Sequence, residues 1–295
     1  MAVFGWNNAI ALVCGNTTVW KPAPTTSLCA IAVTKILESI FRQNNLPSSI
    51  FALISGGSEI GKAIAEDKRL PLVSFTGSTK VGREVGVTVQ RRFGKHILEL
   101  GGNNAILVCP DADIDMVIRA TMFACAGTAG QRCTTTRRLF LHESIFDNVV
   151  ARLAKSFDQL RVGNPLDPNT LYGPLHTKEA VLKYEETIAK AVQLGGKVVY
   201  GGNRINRPGN YVEPTIIIDL EHDAQIVHEE TFAPILYVIK FTKLKDAITW
   251  NNEVDQGLSS SLFTQNMANI FEVCNRLEYI IHHHYLFINL TNIYI

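Results

Sequence analysis

No excess of charge of either sign, no long uninterrupted apolar run and no paired-cysteine motif marks this chain of 295 residues. Each absence excludes a class of function. Twenty-eight Lys and Arg against 27 Asp and Glu leave a net charge of +1, with no long-range field to gather nucleic acid or an anionic membrane. The short basic cluster Arg91, Arg92 and Lys95 lies near an expected helix end, where solvation or the helix dipole accounts for it. No stretch reaches the roughly 18 uncharged apolar residues that a membrane span needs. Met1 to Cys14 is apolar, but no Lys or Arg precedes the run and Trp6, Asn7 and Asn8 interrupt it, which argues against a secretory signal. The six cysteines, Cys14, Cys29, Cys109, Cys125, Cys133 and Cys274, form no CxxC pair and no disulfide framework. That usage suits a reducing, cytoplasmic setting, and it leaves the sequons at Asn16 and Asn289 without meaning for glycosylation.

What is present is the ordinary composition of a globular α/β protein, 46% hydrophobic and 19% charged, long enough for two domains. From Gly15 to about Cys109 short β runs alternate with helical runs. Thr18–Trp20 leads through Pro22 and Pro24 into a helix with Leu28, Ile31, Ile36 and Ile40 on its apolar side. Strands at 50–54 and 72–75 are each followed by a glycine turn and a helix, to about Glu66 and Phe93. Such alternation predicts a parallel sheet covered by helices, with ligands at the carboxyl ends of the strands. A second α/β region begins near Leu98, with a helix over 114–126, strands at 138–141, 197–200, 211–218, 235–241 and 259–263, and helices over 146–160, 178–194 and 244–251. The division expected is 1–97, a partial nucleotide-binding domain, 98–278, a catalytic domain, and 279–295, an aberrant apolar tail. That tail contains His282, His283 and His284, whose adjacent side chains diverge and do not make a metal site.

Four segments carry chemistry. Gly56-Gly57-Ser58-Glu59-Ile60-Gly61-Lys62 nearly spells a phosphate loop, but Ala63 stands where a hydroxyl must hold magnesium. It is either a plain strand-to-helix turn or a helix N-terminus facing a pyrophosphate. Phe75-Thr76-Gly77-Ser78 repeats the arrangement after the next strand, with Ser78 as a candidate cap. Leu98-Glu99-Leu100-Gly101-Gly102 sets a carboxylate between leucines, where desolvation raises a carboxyl pKa toward that of a general base. The alternative is a strand-end glutamate pointing to water. Gly130-Gln131-Arg132-Cys133-Thr134 places a thiol beside a cation and hydroxyl donors, a setting for thiolate chemistry, unless Arg132 merely pairs with a surface acid.

Taken together, Leu98–Gly102, Gly130–Cys133 and Glu229-Glu230-Thr231-Phe232-Ala233-Pro234 resemble the aldehyde dehydrogenase superfamily from about Ala2 to about Arg276. Trp6–Ala9, Gly101–Ala105, Gly127–Thr135 and Arg207–Thr215 are similar to its antiquitin branch, the α-aminoadipic semialdehyde dehydrogenases of lysine breakdown. The resemblance implies an incomplete Rossmann-type NAD domain joined to an α/β catalytic domain. It implies Cys133 as the nucleophile that forms a thiohemiacetal and then a thioester, and Glu99 as the base that activates water. It implies NAD held by Lys21, Gly61, Lys62, Gly77, Ser78, Leu100, Glu230 and Phe232, with Glu230 on the nicotinamide ribose. Arg132 and Thr134 resemble contacts to the substrate carboxylate. The implied partner is a small-molecule aldehyde, with neither nucleic acid nor membrane, and full-length members form homo-oligomers.

The chain also departs from the pattern. The family's Asn-Phe-Pro motif, which carries an oxyanion-hole asparagine, has no counterpart in Asn7 or Asn8. Its long N-terminal region and its C-terminal substrate loop and intersubunit strand have none either. The expectation is a fragment truncated at both ends, poorly soluble and weak as a dehydrogenase on its own, since one lost oxyanion donor costs roughly 100- to 1000-fold. The competing reading is an inactive homologue that keeps the fold.

Overall fold

The computed structural model describes residues 2–277 and 285–289. The chain divides into two compact units, 1–100 and 101–295.

The first unit runs α1 (Ala2–Val13), β1 (Thr18–Trp20), α2 (Ser27–Gln43), β2 (Phe51–Leu53), α3 (Ser58–Glu66), β3 (Leu72–Thr76), α4 (Thr79–Arg91) and β4 (Lys95–Glu99). Strands alternate with helices as the sequence predicts. They do not form one continuous sheet, however: β1 pairs with β2 and β3 with β4, both in parallel, as two separate two-stranded sheets. Phe4 stacks on Trp20, with Phe51 beside them, which fixes α1 against the first pair. Ala65, Val73 and Val89 make a small core between α3, β3 and α4.

One expectation for this unit is corrected. Leu28, Ile31, Ile36 and Ile40, read as the apolar side of α2, are all exposed, and the buried residues of the helix are Ala30 and Phe41. Large apolar side chains left in water along one helix favour self-association. Leu28→Lys combined with Ile36→Lys is expected to shift the chain toward monomer in sedimentation velocity without lowering its unfolding temperature. An unchanged distribution would show that this face does not drive association.

The second unit contains β5 (Asn104–Val108), α5 (Ile114–Ala126), β6 (Thr136–His142), α6 (Phe146–Phe157), α7 (Lys178–Gln193), β7 (Lys197–Tyr200) and β8 (Thr215–Ile218). It continues with α8 (Gln225–His228), β9 (Ile235–Phe241), α9 (Leu244–Asn252), β10 (Ser259–Phe263), α10 (Met267–Arg276) and β11 (Tyr285–Asn289). Its sheet has the order β11-β10-β5-β6-β9-β8-β7, parallel throughout except for the β7–β8 pair. Side chains alternate through it. Ala105, Leu107, Phe140, Tyr237 and Ile239 pack with α7, α9 and α10, whereas Ile106, Val108, Leu139, Leu141 and Val238 pack with α5 and α6. Both faces are covered, as an almost wholly parallel sheet requires.

Two further expectations change here. The strand expected over 211–218 begins only at Thr215, because Pro214 has no N–H to give a ladder. The segment read as an aberrant apolar tail contributes β11, which pairs in parallel with β10 from Ser259↔Tyr285 to Phe263↔Asn289. The three histidines at 282–284 and the chain end at 290–295 lie outside the described residues. Among the described residues no helix is long and apolar enough to cross a membrane.

Candidate active site

In the first unit the expected residues collect at carboxyl ends of strands. The parallel register sets Thr76 opposite Glu99, so the Gly77 N–H donates to the Glu99 carbonyl at 3.1 Å and the two turns end at one level. Ser78 caps α4, its hydroxyl accepting from the Val81 N–H at 3.4 Å. Leu100 lies against Gly82, where an added Cβ would come within 2.2 Å of the leucine Cδ2. Gly77, Ser78, Glu99 and Leu100 therefore share one neighbourhood, and Glu99 is half-buried.

Lys21 follows β1. It passes Gly61, where a Cβ would lie 3.8 Å from the lysine Cε, and its Nζ donates to the Pro22 carbonyl at 3.0 Å. Lys62, one residue further along α3, is exposed. The turn before α3 already holds an anion of its own, since the Gly57 N–H donates to Glu59 Oε1 at 2.8 Å. Backbone N–H groups of Glu59 and Gly57, with Lys21 nearby, keep the Glu59 carboxyl below its usual range.

In the second unit Cys133 sits between α5 and β6 on a turn that the backbone fixes tightly. Thr128 (φ 52°), Ala129 (φ 55°) and Gly130 (φ 68°) are consecutive left-handed residues. Only glycine fits the third position, where a Cβ would fall 2.4 Å from the Ala233 carbonyl carbon and 2.5 Å from the Pro234 nitrogen. Gln131 ties the turn to a neighbouring loop, donating to the Pro174 carbonyl at 3.2 Å and accepting from the His176 N–H at 2.9 Å. Arg132 donates from Nε to the Thr128 hydroxyl at 2.6 Å, and its guanidinium lies 4.6 Å from the centre of the Phe123 ring. Thr134 is exposed beside it.

The Cys133 carbonyl accepts from Asn104 Nδ2 at 2.7 Å, and the same nitrogen reaches the Thr135 carbonyl at 2.8 Å. Asn104 Oδ1 accepts from the N–H and hydroxyl of Ser259 at 3.1 and 2.9 Å. The asparagine is thus oriented from both ends. The two glycines before it now have a physical reason. A Cβ on Gly102 would lie 2.1 Å from the Cys133 carbonyl oxygen, and one on Gly101 would lie 2.1 Å from Glu230 Oε2. The pair lets the Cys133 turn and the Glu230 carboxylate both approach the same stretch of backbone. Glu230 Oε1 accepts the Gly102 N–H at 3.0 Å, and Phe232, two residues on, is 41% exposed. Cys133, Arg132, Thr134, Glu230 and Phe232 are therefore brought together within this unit.

Three side chains that support this arrangement were not singled out from sequence. Asn104 is one. Arg137 is 2% exposed and donates to the carbonyls of Gly102 (3.2 Å), Thr231 (2.6 Å) and Arg132 (3.1 Å), with Glu230 Oε1 at 3.4 Å. Burial lowers its pKa, while Glu230, Cys125 and Cys133 favour its charged form. Arg138 is equally buried, donates to the carbonyls of Asn103, Trp250 and Asn251, and is pushed down to about 9 by burial. Two adjacent arginines entering an apolar strand were the available signal, since buried charges need dedicated acceptors.

The other thiols divide by burial. Cys109 and Cys125 are buried and pushed up to about 11 and about 12, so neither supplies a thiolate near neutrality. Cys14 and Cys29 are exposed on the first unit, and Cys274, like Cys133, is half-exposed.

Known proteins share this arrangement of sequence and fold. Bovine alpha-aminoadipic semialdehyde dehydrogenase is 60% identical over 271 residues, 92% of this chain and 50% of the relative. Pea aldehyde dehydrogenase family 7 member A1 is 55% identical over 271 residues, 92% of this chain and 53% of the relative. The chain thus spans about half the length of the curated relatives it matches. Among solved structures, Escherichia coli lactaldehyde dehydrogenase superposes with a TM-score of 0.87 at 34% identity, over 92% of this chain and 56% of that one. Betaine aldehyde dehydrogenase from Staphylococcus aureus, solved in complex with NAD+, superposes with a TM-score of 0.90 at 28% identity, over 98% of this chain and 57% of that one. With a family model matching residues 1–284 as well, the chain belongs to the aldehyde dehydrogenase family.

Proposed function

We propose that this chain carries the nucleophile, the general base and most of the NAD contacts for oxidation of α-aminoadipic semialdehyde to its carboxylic acid. The observation that carries the reading is the seating of the Cys133 carbonyl on Gly102 and Asn104, in the same frame that holds the Glu230 carboxylate. The identity to the bovine semialdehyde dehydrogenase supports the substrate.

In this reading the Cys133 thiolate attacks the aldehyde carbon and forms a sulfur–carbon bond. Bound NAD would supply the acceptor for the hydride that this carbon loses. The resulting thioester is hydrolysed by water from which Glu99 removes a proton, regenerating the thiol and releasing the acid. Arg132 suits the far carboxylate of the substrate, because Thr128 and Phe123 already hold its guanidinium in place. The donor set fits a dinucleotide. Lys21 and the Glu230 carboxylate suit ribose hydroxyls, and Gly77 with the capped N-terminus of α4 suits a pyrophosphate. Gly61, Lys62 and Leu100 complete the cofactor assignment, with Phe232 against the nicotinamide ring. We place the chain in the cytoplasm, where a thiolate nucleophile persists.

The cofactor assignment is tested by calorimetric titration with NAD. Lys21→Ala is expected to weaken binding about 10- to 100-fold, the cost of a lost charged hydrogen bond. Equal affinity in the two proteins would remove Lys21 from the site.

A further inference from the structure

Arg137 has a role that packing does not explain. A strand residue buried to 2% exposure is ordinarily apolar, whereas a guanidinium there gives up its hydration. Its acceptors lie on three separate segments: Gly102 before β5, Arg132 on the nucleophile turn, and Glu230 and Thr231 before β9. Gly102 is held on both sides, its N–H donating to Glu230 Oε1 and its carbonyl accepting from Arg137 Nε. The carbonyls of Gly130 and Ala233 also accept, at 3.4 and 3.5 Å, so five of its six partners are neutral carbonyls and Glu230 offsets the cation only in part, at 3.4 Å.

We infer that Arg137 is a positioning residue, one buried cation that locks the backbone of the Cys133 turn to the Glu230 carboxylate and lends its charge to the thiolate. The inference rests on the reading of Cys133 as nucleophile and Glu230 as cofactor carboxylate. It has a direct electrostatic consequence. A cation beside the turn favours the thiolate, and the carboxylate that shares this cation weakens the effect. Removing Arg137 and removing the Glu230 charge must therefore move Cys133 in opposite directions. The titratable and charged groups around Arg137 are Glu230, Cys125, Cys133 and the buried Tyr237 of β9, and Arg132 precedes the thiol. Cys125 is buried and stays protonated near neutrality.

The experiment measures iodoacetamide alkylation of the full chain against pH, resolved by peptide mass spectrometry. The exposed Cys14 and Cys29 serve as reference thiols in the same tube. Arg137→Gln is expected to slow Cys133 about tenfold at pH 7, the effect of one pKa unit, with Cys14 and Cys29 unchanged. Glu230→Gln is expected to accelerate Cys133 by about threefold or more, and Arg137→Lys to restore a rate within about threefold of wild type. Unchanged alkylation in folded Arg137→Gln, a shift in the same direction for both charge removals, or failure of lysine to rescue would overturn the inference. If Arg137→Gln does not fold, Glu230→Gln still decides, because no acceleration there would break the link. The profile is read without NAD or aldehyde, so a failure of the proposed dehydrogenase function would leave it intact and measurable.

Discussion

Cys133→Ala is expected to leave the chain unable to form any covalent adduct with an aldehyde and to bring NADH formation down to the uncatalysed level. Removing a nucleophile that acts as part of a unit typically costs on the order of a million-fold. Two other thiols of the second unit are closed to this role by burial. Cys125 and Cys109 are buried and hold their protons, with pKa values near 12 and 11, and Cys14 and Cys29 belong to the first unit. Glu99→Gln is expected to behave differently. On the proposed assignment it keeps the attack and the hydride loss but lacks the base for hydrolysis, so acid release should fall roughly 100- to 10,000-fold while acylated enzyme accumulates. Stopped-flow NADH fluorescence followed by quench separates the two variants. Residual multiple turnover in Cys133→Ala would disprove the assignment of the nucleophile, and unimpaired acid release in Glu99→Gln would disprove that of the base.

The second large effect concerns stability. Gly130→Ala is expected to destabilise the second unit by about 3 kcal/mol, combining left-handed backbone strain with overpacking. The new Cβ would lie 2.4 Å from the backbone of Ala233, and a backbone atom cannot swing aside as a side-chain end can. For a unit of this size the unfolding temperature should fall by roughly 6–12 °C. Gly195→Ala is the matched control. Its φ is also positive, at 97° against 68° for Gly130, but nothing lies within 4 Å of its added Cβ, so only the backbone strain of about 1 kcal/mol applies. Equal melting shifts for the two variants in calorimetry would show that the packing of Gly130 on Ala233 and Pro234 does not matter.

Much of this was legible in the residues themselves. The helix over 114–126 and the strands at 197–200, 235–241 and 259–263 stand where pattern and turn chemistry predict them. Other elements had no local signal. The strand Asn104–Val108 is buried at every position, and a strand covered on both faces shows no alternation to read. The exposed apolar side of α2 misleads for the opposite reason, since periodicity reports which face is apolar but not whether anything covers it.

The site divides in the same way. Cys133, Arg132 and the glycines of Leu98–Gly102 stand out by residue type and spacing. Glu230 came only from family resemblance, because its meaning lies in the Gly101 and Gly102 backbone more than a hundred residues earlier. Asn104, Arg137 and Arg138 act through long-range acceptors on main-chain carbonyls, and a carbonyl is the same at every position in a sequence. The two arginines were visible only as charges out of place in an apolar strand.

The most direct test of the account is mass spectrometry of the Cys133 peptide after Glu99→Gln protein is mixed with α-aminoadipic semialdehyde and NAD. The account predicts an acyl group on Cys133, lighter than the plain aldehyde adduct by one hydride and one proton, and only when NAD is present. Adduct on another cysteine, or the same mass on Cys133 without NAD, would contradict it.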